Sequence, residues 1–271
     1  MARKPSGLPS TPPRLGRLAA DGLKFGLLLA LLIGLTVRST EGLGYHWQWY
    51  RVPGYLFSNS EGEWRIGPLL QGLGVTFQIT AVSLVLAPAI GLIAALMRLS
   101  GSIVARWVAR AYIELIRNTP LLVQLFFIYF VLSPVLEISA WTSAVLALSL
   151  FEGAYASEIF RAGILSIHRN QWEAAFSLGL GTWRTYRLVI LPQAVRRVLP
   201  PLTSQVISLV KDSALVSTIA IYDLSMQAQA IISETYLVFE VWFTVAAVYL
   251  VITLSLSAAV AVIDKKLRCR T

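Results

Sequence analysis

The chain has 271 residues, of which 56% are hydrophobic and 14% charged, and its mean hydropathy is +0.67. A soluble domain carries nearer a quarter charged residues, so the polar surface that water requires is missing, and disorder is excluded by the same figures. A single cysteine, Cys269, excludes a disulfide framework or a multi-cysteine zinc site. The net charge of +9 is interleaved with long apolar runs, so it reads as membrane topology rather than as a nucleic-acid surface.

The N-terminus, residues 1–17, holds Pro5, Pro9, Pro12 and Pro13 among Ser and Thr and reads as a flexible tail. Crossing a bilayer takes about 20 mostly apolar residues in a helix. Six segments meet or approach that: Leu18–Val37, Leu69–Met97, Leu121–Leu136, Trp141–Phe160, Leu202–Ile221 and Val238–Ile263. None alternates with period two, so helices and not barrel strands are expected. The first segment has a short core, Phe25–Val37, behind basic residues, which also resembles a signal peptide. Val37-Arg38-Ser39 is a poor cleavage site, so an uncleaved helix over 18–38 is the expectation.

Lys and Arg concentrate in alternate connections. Nineteen of the 23 lie in the N-terminal stretch, after the second span (Arg98, Arg106, Arg110, Arg117), after the fourth (Arg161 to Arg197) and in the C-terminus, 264–271. Basic residues mark cytoplasmic segments, so both termini are expected in the cytoplasm. Residues 39–66 then lie outside. Their aromatics (His46, Trp47, Trp49, Tyr50, Tyr55, Phe57, Trp64) suit an interfacial loop or short surface helix, with partner docking as the alternative.

Enzyme signatures are lacking. There is no Gly-Lys pair and hence no phosphate-binding loop. The two histidines, His46 and His168, are expected on opposite sides of the membrane, which leaves no metal or triad arrangement. His168 is expected on a solvated loop. Energy must come from a partner or an ion gradient.

The connection after the fourth span reads Gln171-Trp172-Glu173-Ala174-Ala175-Phe176-Ser177-Leu178-Gly179, then nine residues, then Val189-Ile190-Leu191-Pro192. This predicts a short helix with a small face at Ala174 and Ala175, stopped near Gly179, and a second helix ending before Pro192. Trp172, Phe176 and Trp183 are candidate anchors for a groove on another protein, the alternative being a helix lying on the membrane surface. Within the spans, Glu152, Glu158, Lys211 and Asp212 are ionisable, and such residues are functional candidates by default. Glu152, Tyr155 and Glu158 follow helical spacing and are expected to share a broad polar face. Glu158 has Arg161 or Lys211 as expected ion-pair partners. Asn118 and Thr119 are expected to cap the helix after Pro120, with Gln124 a weaker candidate for the pathway.

Glu-Ala-Ala, three residues, Gly, nine residues, aliphatic, one residue, Leu-Pro resembles the cytoplasmic signature of permease subunits of ABC importers. The likeness narrows to the polar amino acid permeases through Tyr112–Leu125, Gly153–Ile164, Leu191-Pro192-Gln193-Ala194, Pro200-Pro201-Leu202 and Leu209–Leu215, and covers about Gly67 to Ile263. It implies an all-α integral membrane protein of about six transmembrane helices, with a type I importer transmembrane domain over 67–263 and a cytoplasmic coupling helix. It also implies two permease subunits (identical or paralogous), a dimer of ABC ATPase subunits that binds ATP and Mg, and a periplasmic amino-acid-binding protein, in a bacterial inner membrane. This chain itself holds no cofactor. Gln171, Glu173, Ala174, Ala175, Leu178 and Gly179 would contact the ATPase. Glu152, Tyr155, Glu158, Lys211, Asp212, Ser213 and Gln124 are the candidate pathway residues, with Glu158 or Asp212 meeting a substrate ammonium and Ser213 its carboxylate.

The sequence departs from the family where Lys211-Asp212-Ser213-Ala214-Leu215 replaces the common Lys-Asp-Thr-Ser-Leu, and where Asn170-Gln171 replaces Gly-Gln. The competing reading is a secondary transporter or channel driven by an ion gradient, but no similarity between the two halves supports it.

Overall fold

The computed structural model describes residues 45–60 and 63–268, together with residues 22–24, 26–28, 30–31, 34–35 and 38. The chain divides into two units, Met1–Trp47 and Gln48–Thr271. In the first, the described residues between Gly22 and Arg38 are helical. The tail 1–17 and much of the first expected span lie outside the described residues.

The second unit opens with a 3₁₀ turn, Trp49–Arg51, and a short helix α1 (Val52–Leu56), followed by an antiparallel hairpin of β1 (Phe57–Ser60) and β2 (Glu63–Ile66). An interfacial loop or a short surface helix was expected here and the hairpin was not. Gly67 closes the hairpin by donating to the Leu56 carbonyl at 2.8 Å, and any Cβ at this position would overlap the Tyr55 carbonyl. Pro68 then starts α2 (Pro68–Leu99), where its missing N–H costs nothing.

At 32 residues α2 is about 48 Å long, ample for a tilted span. Apart from Leu69 and Ile79, its buried residues are small or hydroxylic: Gly72, Thr76, Thr80, Ser83, Ala87, Gly91, Ala94 and Ala95. Of these, Gly72 and Thr76 meet Asp223 and Leu224, and the helix as a whole packs on α6 (Ala140–Leu165) in the most extensive helix pairing of the fold. Lipid offers no hydrophobic drive between spans, so small residues that allow close backbone approach do the joining. Gly91 sits against the Gly153 carbonyl and the Ala156 methyl.

Between these helices run α3 (Ile103–Arg117) and α4 (Leu121–Phe126), which continues through a π segment, Phe127–Leu132, into α5 (Ser133–Leu136). The chain turns by 108° between α3 and the run Leu121–Leu136. After α6 come α7 (Arg169–Ser177), α8 (Thr182–Thr185), a π segment (Tyr186–Ile190), α9 (Leu191–Asp212) and a 3₁₀ segment (Ser213–Ile219). Ala220 in left-handed conformation, φ 58°, leads into α10 (Leu224–Thr235) and then α11 (Val238–Arg268).

Three apolar clusters stack along the bundle. Leu69, Leu224, Ala228, Ile231, Leu237 and Val241 hold one end. Ile79, Leu125, Ile128, Leu148, Leu209 and Val216 fill the middle, and Ile164, Ile167, Ile190 and Ala194 hold the other end. Among the described residues three helices are long and apolar enough to span, or up to five if each bent pair is one span. These correspond to five of the six expected segments; the sixth is the one at 18–38.

Two expectations need correction. The helix expected to end before Pro192 continues through it, because the π segment moves the Leu191 N–H onto the Tyr186 carbonyl and absorbs the break that proline imposes. The expected span Leu202–Ile221 is therefore the last part of a longer element that begins at Thr182 and tightens to 3₁₀ after Asp212.

Candidate functional site

At the end of the bundle carrying Ile164 and Ile190, α7 projects as a short helix closed at both ends. His168 caps its start by accepting from the Asn170 N–H at Nδ1, 3.3 Å, so this histidine has a structural task beyond the solvated loop expected for it. Its far end is a Schellman closure. The Leu180 N–H donates to the Ala175 carbonyl at 3.1 Å and the Gly179 N–H to the Phe176 carbonyl at 2.9 Å, with Gly179 at φ 75°. Only glycine adopts that conformation without strain.

One side of α7 faces the bundle. Ala175 is buried, and Trp172 meets the Tyr186 ring edge-on at 4.8 Å between centroids. Gln193 of α9 donates to the Gln171 side chain at 3.1 Å. The opposite side is open: Glu173, Ala174, Phe176, Leu178 and Gly179 are exposed, Leu178 at 81%, and Trp183 beyond them at 72%. The expected small face at Ala174 and Ala175 is thus split, since neighbours on a helix point about 100° apart. Of the three aromatic anchors, Trp172 turns inward while Phe176 and Trp183 turn out. An exposed ion pair, Arg169–Glu173 at 3.1 Å, adds little to stability.

The ionisable residues of the spans fall into two groups. Glu152 is buried on α6 and faces Asp212 of α9. Its Oε2 has no hydrogen-bond partner and borders a cavity of about 130 Å³ lined by Ala87, Pro88, Thr203, Gln205 and Leu209. Tyr155 and Glu158 face away from it, towards α2 and α3. Glu158 pairs with Arg98 and with Arg161, the latter at 2.8 Å. The Arg117 guanidinium lies over the Tyr155 ring, 5.1 Å from its centroid. Arg98, Arg117, Tyr155 and Glu158, together with Glu114 and Asn118, line a polar cavity of about 360 Å³. The single polar face expected for Glu152, Tyr155 and Glu158 is therefore two sites, because six residues of helix rotate Glu158 by about 120° from Glu152.

Other candidates are accounted for locally. Lys211 is exposed and does not pair with Glu158. Ser213 is buried and donates to the Val210 carbonyl at 2.7 Å, closing its own turn. Gln124 is buried at the α3–α4 corner, where its amide donates to the Ile116 carbonyl at 2.7 Å and the Thr119 carbonyl at 3.0 Å. Asn118 and Thr119 close the end of α3, donating to Glu114 and Leu115 carbonyls, instead of capping α4.

The sequence reading did not single out Arg98 and Arg117 as more than topological charges, nor Asp223 and Glu240, both fully buried. Asp223 caps α10 by accepting from the Met226 N–H at 2.8 Å, a role visible in the Asp before Leu224 and Ser225. Glu240 accepts from the Gln48 N–H at 2.7 Å, a contact 192 positions away in the chain that no local pattern announces.

Spanning helices joined by small residues, charged cavities between them and a capped, outward-facing loop at one end define a subunit that forms a pathway through a membrane. The chain belongs to the family of binding-protein-dependent transport system inner membrane components, which matches residues 87–268. It is similar to the glutamine transport system permease protein GlnP of Escherichia coli (strain K12), 41% identical over 76% of this chain and 95% of that one. The L-cystine transport system permease protein TcyB of Bacillus subtilis (strain 168) is 41% identical over 74% of this chain and 87% of its own. Among solved structures, an amino acid ABC transporter crystallised with histidines superposes with a TM-score of 0.70 at 40% identity, covering 73% of this chain and 94% of that one. The inward-facing MetNI methionine ABC transporter shares the fold, with a TM-score of 0.61 at 22% identity and coverage of 73% and 95%. The protein is thus a multi-pass permease subunit of an ABC importer. An ion-gradient-driven carrier is not the better reading.

Proposed function

We propose that this permease passes a polar amino acid across the bacterial inner membrane, with both termini in the cytoplasm. Residues 67–263 form the transport domain, 18–38 an additional span, 39–66 a periplasmic interfacial segment, and 1–17 and 264–271 cytoplasmic ends. A periplasmic amino-acid-binding protein delivers substrate, and a second permease subunit, identical or paralogous, completes the pathway. The relatives named for glutamine and L-cystine support this substrate class.

ATP and Mg are held by a dimeric ATPase partner that grips α7. The observation that carries this reading is the outward face of Glu173, Ala174, Phe176 and Leu178 on a helix capped at both ends and anchored through Ala175 and Trp172. A rigid knob of that design transmits the closing and opening of its partner to α9, through Gln171 and Gln193, without itself deforming. The pathway then alternates between outward-facing and inward-facing states.

Within the bundle the acidic pole for a substrate ammonium is Glu152 with Asp212. Glu158 has its two arginine partners and Ser213 its own backbone bond, so neither is free for substrate in this conformation. Membranes expressing the permease with its ATPase should copurify the two, and uptake should stop with vanadate. Glu173→Lys should release the ATPase while the permease still inserts. Normal copurification and normal uptake by that variant would overturn the proposed docking site.

A further inference from the structure

The helix α3 has three distinct faces. Ala109 and Ile113 are buried, and Tyr112 donates to the Leu150 carbonyl of α6 at 2.6 Å, so this face packs on the bundle. The remaining circumference divides in two at 100° per residue. Arg106, Arg110 and Arg117 fall within about 40° of one another and are all exposed. Val104, Trp107, Val108 and Leu115 occupy an adjacent arc of about 100° and are exposed by 72%, 66%, 55% and 66%.

The axis of α3 is turned 108° from the run Leu121–Leu136, close to perpendicular. The stripe carries three arginines against one acid, Glu114, which itself accepts from Asn118. Among the described residues Arg106 and Arg110 have no carboxylate partner, and Arg117 meets only the Tyr155 ring. Water does not suit the apolar arc and hydrocarbon does not suit the arginines. A helix along the boundary between acyl chains and headgroups satisfies both, with Trp107 in the zone that aromatics prefer.

We propose that α3 lies in the membrane plane and that its Arg106–Arg110–Arg117 stripe binds the phosphates of anionic phospholipid. A zwitterionic lipid cancels its phosphate with its own ammonium, whereas an anionic headgroup leaves the charge for the guanidinium fork. A second copy of this chain is a poorer occupant, since an isologous contact through this face brings like-charged stripes together. The lipid would hold the corner that Gln124 ties and the cavity that Arg117 and Glu158 line. Placing it in the cytoplasmic leaflet rests on the orientation proposed above.

The test uses the full chain reconstituted in phosphatidylcholine vesicles containing equal small fractions of brominated phosphatidylglycerol or brominated phosphatidylcholine. The Trp107 signal is isolated as the difference from Trp107→Phe. Quenching should be severalfold stronger with the phosphatidylglycerol. The preference should fall to near parity in R106Q/R110Q and survive in R106K/R110K, and phosphatidylglycerol retained by the purified protein, read by native mass spectrometry, should follow the same order. Absence of Trp107 quenching by either lipid would overturn the proposal in favour of a protein on this face. Equal quenching by both lipids would overturn the role of the arginines. A Ser102→Cys label in a Cys269→Ser background reads the leaflet separately. Labelling of intact cells from outside alone would overturn the proposed orientation and the leaflet assignment, while the headgroup preference would persist.

Discussion

Arg98, at the last turn of α2, and Glu158, on α6, form an ion pair that joins the two most closely packed helices, and Arg161 completes it one turn beyond Glu158. The side chains are about one-fifth to one-third exposed, 22% for Arg98 and Glu158 and 31% for Arg161, so this is a partly desolvated cluster at a helix end. Removing the single acid leaves two arginines facing each other. Glu158→Gln should therefore cost about 1–3 kcal/mol, seen as a fall of several degrees in the melting temperature of the purified protein and as reduced membrane yield. A variant with unchanged melting and reduced uptake would instead place Glu158 in the pathway.

Glu152 should behave in the opposite way. It lies beside a cavity with one carboxylate oxygen unpartnered, and the glutamine variant keeps its shape while removing the acid. Glu152→Gln and Asp212→Asn should each leave assembly with the ATPase intact and lower uptake tenfold or more. Because the two face one another, the double variant should lose little beyond either single one. Additive losses would show that they act independently.

Gly179 ends α7 at φ 75°. Gly179→Ala meets open space, so its penalty is conformational alone, about 1 kcal/mol. The permease should express normally, with weaker ATPase copurification and less uptake per ATP hydrolysed. Unchanged coupling would mean that the Schellman closure is dispensable.

Gly91 tests the packing of the spans. A methyl there would lie against the Ala156 methyl and the Gly153 carbonyl. Gly91→Ala should destabilise by about 1–3 kcal/mol and Gly91→Leu should prevent accumulation of folded protein. Normal yield of the leucine variant would show that α2 and α6 separate readily in the membrane.

Gln124 holds the corner between α3 and α4 through two backbone carbonyls. Gln124→Leu should cost about 1–2 kcal/mol by leaving them unpaired, with transport falling only in proportion to folded protein. A larger loss of uptake at full stability would return Gln124 to the list of pathway residues.

Much of this architecture was legible in the order of residues. Apolar length marked the spans from Leu69 to Ile263, because the bilayer imposes a minimum on every crossing helix. Gly179 marked the end of α7, since few residues accept its backbone. The π segment before Pro192 was not legible, because a proline signals a break locally and only the continuing contacts of α9 with α6 and α11 reward carrying the helix through. The division of Glu152 from Glu158 was missed because a loose polar face at i, i+3 and i+6 spans more of a helix than one neighbour can cover.

By itself the chain of residues determined that this protein lives in a membrane, roughly where its apolar spans fall, and that a short helix stopped near Gly179 follows the fourth of them. These are consequences of short-range chemistry: transfer of apolar side chains from water, the demands of proline and glycine, and the charge of the connecting segments. Tertiary structure alone decided which buried and half-buried polar groups meet. Arg98 with Glu158, Glu152 with Asp212 and Gln48 with Glu240 are separated by 60 or more positions, and a pairing at that distance depends on the rotation and depth of each helix in the bundle, which close packing of small residues sets and no local pattern encodes.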